Sequence, residues 1–193
     1  MIKPHGSDKL NPLYVADDAK RAQLAKEATD LPKLLVCSQA AANAVMMGSG
    51  YFNPLTGFMN LADSMAVAEK METTGGLFWP VPIVNVIQDG AAIQGASRIA
   101  LLDPNVDGNP VIAIQTVEKV ETATAEQMEL MTRKIFGTTD PAHPGVAAFT
   151  SVGSTLISGP IEVLNFSYFA TDFPGTFRTA VEIREAIASH GWS

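Results

Sequence analysis

Charge is scarce in this sequence: only 17% of its 193 residues are Asp, Glu, Lys or Arg, against about 25% in an ordinary soluble protein. Cysteine is scarcer still. Cys37 stands alone, so no internal disulfide can form, which fits a reducing cytoplasm. Lys and Arg total 13 against 20 Asp and Glu, a formal net charge of −7, and no basic run exceeds the pairs Lys20-Arg21 and Arg133-Lys134. Binders of nucleic acid and of anionic membranes carry a basic footprint, and the sequence argues against both partners. Long apolar runs are missing too. The longest, Phe78 to Ile87, is broken by Pro80, Pro82 and Asn85 and is too short to cross a bilayer. The opening MIKPHGSDKL lacks the apolar stretch of a secretory signal, so a cytoplasmic protein is expected. The histidines, His5, His143 and His190, lie far apart and form no set with metal-ligand spacing, so no metal site is expected.

Apolar side chains make up 47% of the chain, ample material to offset the entropy of ordering it. The length suits one full domain, or one and a fraction. A helix is expected over roughly Asp17 to Ala28, ahead of Pro32, and a short strand over Leu34 to Val36. Ser38 is expected to cap an Ala-rich helix that Gly48 stops in a left-handed conformation. Another helix is expected from Leu61 to Glu72, before the Gly75-Gly76 turn. From Trp79 to Val120 the pattern turns to β, with β-branched segments punctuated by Asp89-Gly90 and Asp107-Gly108. Three or four antiparallel strands are expected there, and both faces of Ile112 to Val117 read as partly buried. Thr124 and Gln127 form a capping-box pattern before the Met128, Met131 and Ile135 face, with Gly137 as the stop. Short strands are expected around Val146–Phe149, Thr155–Ile157 and Glu162–Asn165, then a last helix from about Thr176 to His190. The fold class is α+β with a β-rich centre.

Chemical motifs fail on residue identity. In GSGYFNPLTG (Gly48 to Gly57) the third glycine of a dinucleotide fingerprint is Asn53, and Gly57 is followed by Phe58-Met59 rather than Lys-Ser/Thr. The segment reads instead as a helix stop followed by an Asn-Pro turn. Gly153-Ser154 lacks the flanks of a nucleophile elbow. Asp140 and His143 are spaced to form an acid–imidazole pair, but an Asp-Pro turn with the histidine beside a second Pro-Gly turn accounts for them better. Cys37 precedes a short helix, whose dipole lowers a thiol pKa, but the preceding Leu34, Leu35 and Val36 favour a packed, inert thiol. From the residues alone, no active site emerges.

Several segments, in order, resemble ATP sulfurylase (sulfate adenylyltransferase), in the version of sulfur-oxidising and sulfate-reducing prokaryotes. They are PHGSDKL (Pro4 to Leu10), GYFNPLTGFMN (Gly50 to Asn60), WPVPI (Trp79 to Ile83), LLDPNVDGNPVIAIQTVEKVE (Leu101 to Glu121), FGTTDPAHPGV (Phe136 to Val146), GPIEVLNFSYF (Gly159 to Phe169) and FRTAVEIREAIASHGW (Phe177 to Trp192). The third is similar to the family's Trp-x-x-Pro-Ile strand start, and the fifth is the most specific. Ser7 stands where a second glycine is usual, and Gly153-Ser154 replaces a common Gly-Gly.

The resemblance implies a PUA-like, β-rich pseudo-barrel with peripheral helices over residues 1–175, and a helix over 176–193 leading into a catalytic domain. It implies an enzyme family that joins sulfate to the α-phosphate of Mg-ATP, releasing pyrophosphate. The family's catalytic motifs, Gln-x-Arg-Asn-Pro, His-x-x-His and Gly-Arg-Asp, follow beyond the matching segments. No catalytic, cofactor-binding or metal-ligating residue is therefore assigned in this chain, which is expected to be inactive alone. The motif residues Asn53, Pro54, Gly57, Phe58, Asp140, His143, Pro144 and Gly145 are candidates for structural or interface roles. The implied partners are the catalytic domain and further copies of the enzyme. The alternative is a non-catalytic interaction or RNA-binding module, since PUA-like folds also occur in RNA-binding proteins.

Overall fold

The computed structural model describes residues 2–192. Met1 and Ser193, the outer bounds of the two expected units, lie outside the described residues. Helix α1 (Asp18–Glu27) starts at Asp17, whose carboxylate accepts the Lys20 amide at 2.8 Å. The edge strand β1 (Lys33–Leu35) leads into α2 (Ser38–Gly48). The cap of α2 is Cys37, not the expected Ser38. Cys37 has the extended backbone of a cap residue, and its sulfur accepts the Ala40 amide at 3.4 Å, so Ser38 already lies inside the helix. Nor does Gly48 stop α2 in a left-handed conformation. A Cβ there would lie 2.8 Å from Val163 Cγ1, and the left-handed residue is Gly50, at φ +85. Gly48 lets the helix sit against the sheet.

The next elements are β2 (Gly57–Phe58), α3 (Leu61–Lys70), β3 (Val86–Ile87) and a 3-10 turn (Ala91–Ile93). They lead to β4 (Arg98–Leu102), β5 (Val111–Thr116) and β6 (Lys119–Thr122). Helix α3 ends at Met71, a left-handed residue at φ +54, before the expected Glu72. Helix α4 (Ala125–Phe136) carries the capping box of Thr124 and Gln127 and stops at Gly137 at φ +73. The strand expected at Val146–Phe149 is instead α5 (Pro144–Ser151). His143 Nδ1 caps it and Pro144 occupies its first turn, where a missing amide costs nothing. After it come β7 (Thr155–Val163), α6 (Phe169–Asp172) and α7 (Ala180–Ser189). Thr179 caps α7 with its own box to Glu182, so the last helix starts later than Thr176.

The strands form one mixed sheet curled into a half-barrel with helices around it, an α+β fold. Strand β1 pairs in parallel with β4, β4 antiparallel with β5, and β5 antiparallel with β7. Strands β2, β3 and β6 also pair with β7. The two expected strands at Thr155–Ile157 and Glu162–Asn165 are thus one continuous strand. Its first half pairs with β6 (Thr155↔Thr122 to Ser158↔Lys119) and its second with β5 (Ile161↔Gln115 to Val163↔Ala113). Between these stretches Thr116, Val117 and Glu118 face only Gly159 and Pro160, an extra residue that bends the pair as a bulge does. Ile112, Ala113, Ile114 and Gln115 are all buried, as expected for a strand covered on both faces.

The main core gathers Val45, Met47, Phe58, Trp79, Ile99, Leu101, Ile112 and Ile157 between α2 and the sheet. Smaller clusters sit under α1, around Leu24 and Ile114, and between α3 and α4, around Met131 and Leu156. One polar contact crosses the core. Asn85 Nδ2 donates to Gln115 Oε1 at 3.0 Å, and Gln115 Nε2 donates to the Ile157 carbonyl at 3.0 Å. Both side chains are fully buried, so their pairing fixes how β7 meets the loop before β3.

Candidate functional site

Three segments separated in sequence meet around Asn53. Its side chain is 5% exposed, and its amide nitrogen donates to the His5 carbonyl at 2.8 Å and to Ser7 Oγ at 2.7 Å. Its amide oxygen accepts the Asn11 backbone N–H at 2.7 Å. Asn53 thereby holds the opening segment, residues 2–11, as a strap over the turn that contains Pro54. Ser7, the departure from a glycine, contributes a hydroxyl that also donates to the Lys9 carbonyl at 2.7 Å. His5 Nε2 lies 2.8 Å from the Phe78 carbonyl, and its ring sits against Phe78 and Trp79 at centroid distances of 6.3 and 6.0 Å. PHGSDKL, GYFNPLTGFMN and WPVPI thus form one structural unit.

The same unit holds α7. Tyr51 Oη donates to the Arg178 carbonyl at 2.8 Å, the Ala180 amide donates to the Ser49 carbonyl at 2.8 Å, and Arg184 Nη2 donates to the Ile2 carbonyl at 2.5 Å. Between strap and helix runs a groove of about 290 Å³, bordered by His5, Leu10, Tyr51, Ile183, Arg184 and Ile187. Burial, and then the nearby Glu182 carboxylate, push the Tyr51 phenol above its ordinary range. The Thr179 backbone N–H and then its hydroxyl hold Glu182 below the usual carboxylate range. Of the α7 residues only Ala180 is buried, and Val181 and Ile183 are 37% and 40% exposed, with Trp192 beyond them at 64%.

The other motif residues lie elsewhere. Gly57 and Phe58 form β2 and cross β7 opposite Pro160 and Gly159. Asp140 and His143 do not form an acid–imidazole pair. Asp140 Oδ1 accepts the Ala142 amide at 2.9 Å, and His143 Nδ1 accepts the Val146 amide at 3.4 Å. Each side chain closes its own turn, as the Asp-Pro and Pro-Gly dipeptides allow. Gly145 is packed under Phe136, whose Cε1 would lie 2.7 Å from a Cβ there, and Phe136 also touches the His143 ring at 5.6 Å. Sequence reasoning missed Tyr51 and Arg184. Tyr51 carries a signal, an aromatic in the Tyr51-Phe52 pair that precedes the Asn-Pro turn; Arg184 carries none, because its partner is a backbone carbonyl 182 residues away.

No group of three or more His, Cys, Asp and Glu side chains among the described residues is arranged to hold a metal ion. No helix among them is long and apolar enough to cross a membrane.

The family model of the PUA-like domain matches residues 2–166, which span the strap, the curled sheet and all its strands. The chain belongs to the PUA-like domain family. This PUA-like domain is 56% identical over 193 residues to a sulfate adenylyltransferase of Alcanivorax borkumensis, covering 100% of this chain and 48% of that protein. It is 58% identical over 192 residues to one of Allochromatium vinosum, again covering 100% of this chain and 48% of that protein. The chain spans about half the length of these curated relatives. Among solved structures it is similar to one described as a hexameric APS kinase from Thiobacillus denitrificans. That match has a TM-score of 0.71 and 26% identity, and covers 100% of this chain and 32% of that one. The motif resemblance to sulfate adenylyltransferase and the relatives of that name agree.

Proposed function

We propose that this PUA-like domain is the N-terminal portion of a cytoplasmic sulfate adenylyltransferase and supports its catalytic portion without carrying the chemistry. The observation that carries the reading is identity of 56% and 58%, over the whole of this chain, to sulfate adenylyltransferases about twice as long. In the reaction proposed for the whole protein, a sulfate oxygen attacks the α-phosphorus of ATP and pyrophosphate leaves. That step needs cationic donors around the phosphoryl oxygens.

Six of the 13 Lys and Arg side chains already serve the domain's own structure, which supports placing Mg-ATP elsewhere in the whole protein. Lys3, Lys20, Arg21, Arg98 and Arg133 are each paired with a carboxylate, and Arg184 serves a backbone carbonyl. We place the nucleotide in the remaining half of the protein and the boundary between the two units at residues 175/176. The exposed apolar side chains of α7 are then the surface on which the catalytic portion rests. The hexameric state of the similar Thiobacillus denitrificans APS kinase motivates extending the reading to an oligomeric whole protein.

The test uses two proteins. The purified 193-residue chain, given Mg-ATP and sulfate, is expected to release no pyrophosphate above the blank. A chimera in which these residues replace the matching half of the Alcanivorax borkumensis protein is expected to release it. Release by the 193-residue chain would overturn the supporting role, and a folded but inactive chimera would overturn the assignment to this enzyme.

A further inference from the structure

The structure raises a question the proposed function leaves open: what holds α7, a helix with almost no buried surface, in one direction. Its apolar contact with the core is small, since Ala180 is its only buried residue. An amphipathic helix of ten residues without a packed face is marginal by itself. Its attachments are polar contacts at its start and one turn further on. At the start, Ser49 and Tyr51 bind the Ala180 amide and the Arg178 carbonyl. One turn further on, Arg184 reaches Ile2 of the strap.

The strap is itself clamped. Asn53 holds it at His5, Ser7 and Asn11, and His5 is fixed to the Phe78 carbonyl. Gly6 presses in so tightly, at φ +66, that a Cβ would lie 2.7 Å from Leu77 Cδ1 and 2.9 Å from Pro54 Cγ. The strap is therefore rigid where it crosses the turn, and it presents the Ile2 carbonyl to α7 from a fixed position.

We propose that residues 2–11 are a latch that fixes the direction in which α7 leaves the domain, with Asn53 as its anchor and the Arg184–Ile2 contact as its catch. The latch is a conformational device: its anchor rests against the edge of the core at Trp79 and Leu77, and its catch acts on α7 alone. If the supporting role proposed above is right, the latch also sets the angle between the two units of the whole protein; the latch itself does not depend on that reading.

Hydrogen exchange on the 193-residue chain tests the latch directly, with two variants: removal of residues 2–9, and R184A, which opens the catch and leaves the strap in place. Both are expected to speed exchange of the α7 amides by about five- to thirtyfold, the effect of losing one to a few hydrogen bonds. The amides of β4, β5 and β7 are expected to keep their wild-type protection in R184A; in the deletion, which also strips Asn53 of its His5 and Ser7 partners, they are expected to lose less protection than α7. Unchanged exchange in α7 in either variant overturns the proposal. So does loss of sheet protection in R184A, because it would make the catch part of the core. The outcome is independent of pyrophosphate release, so failure of the latch and failure of the proposed function are told apart.

Discussion

A Cβ placed on Gly57 would fall 2.0 Å from the carbonyl oxygen of Gly159. Strand β2 crosses β7 at this point, where the β7 ladder changes partner from β6 to β5. Gly159 is itself at φ +134, with a Cβ position 2.2 Å from the Thr116 carbonyl oxygen. Two backbones and the bulge opposite them thus meet with no room for a side chain. Gly57→Ala is expected to destabilise the domain by about 1–3 kcal/mol, the range for forcing atoms into a packed site. Gly159→Ala is expected to cost at least as much, because backbone strain at positive φ adds to the clash. Urea unfolding of both variants against wild type measures this; a change below about 0.5 kcal/mol, the scatter of neutral surface substitutions, would mean the crossing relaxes freely.

Asn53 makes three hydrogen bonds from a side chain that is 5% exposed. Asn53→Ala removes all three and leaves partly buried groups of the strap without partners. At about 0.5–1.5 kcal/mol each, the expected loss is roughly 2–4 kcal/mol. Asn53→Asp keeps the acceptor for the Asn11 amide but loses both donors, so it is expected to fall between. Denaturant midpoints of the three proteins should rank in that order, and Asn53→Asp behaving like wild type would show that the Asn11 contact alone matters.

What sequence reasoning recovered and what it missed divide along one physical line. The ends of α4 were legible because Thr124, Gln127 and Gly137 act on their own neighbours. The double-sided burial of Ile112 to Gln115 was legible because it is a composition pattern within one strand. The continuity of β7 was not, because Gly159-Pro160 reads locally as a break and becomes a bend only when β2, β5 and β6 are in place. Helix α5 was hidden by its Val146 to Phe149 apolar run, although His143 and Pro144 are its start signal. Around the candidate site, Asn53 and Pro54 were singled out from their segment. Their use depends on residues 2–11 and on α7, contacts that span up to 182 residues and leave no local trace.

Arg98 lies between two carboxylates. It pairs with Glu27 of α1 and, at 2.5 Å, with Glu162 of β7, which also binds Lys20 at 2.8 Å. All but Lys20 keep only about a third of their side-chain surface, so screening by solvent is partial. Arg98→Ala leaves Glu27 and Glu162 facing each other without their shared cation. The expected loss is about 1–2 kcal/mol at low salt, more than an isolated surface pair gives, and smaller at 1 M salt. The double variant Arg98→Ala/Glu27→Gln should recover part of it. Equal losses at low and high salt would mean that the arginine acts through packing of its stem rather than through charge.

The junction at α7 carries an acid-side and an alkaline-side pH signature. Hydrogen bonds from the Thr179 backbone N–H and hydroxyl hold Glu182 below its ordinary value of 4.5. A group lowered by folding stabilises above its unfolded pKa and loses that contribution as pH falls through its folded value. Protection of the α7 amides is therefore expected to decline below about pH 4.5. Thr179→Ala should remove only the hydroxyl's share of the shift, because the backbone N–H, the larger cause, remains, and, with the cap gone, weaken the helix by about 1 kcal/mol at neutral pH. Tyr51 runs the other way. Burial, then Glu182, raise it above 10.0, so its contribution is complete below the unfolded value and lost as pH rises through the folded one. Glu182→Gln should lower the Tyr51 pKa only in part, because burial, the larger cause, remains. Titrating Tyr51 by its ultraviolet absorbance in wild type and Glu182→Gln measures the split, with Tyr51→Phe subtracting the other tyrosines. A full return to the ordinary value would show that the carboxylate, not burial, dominates at the base of α7.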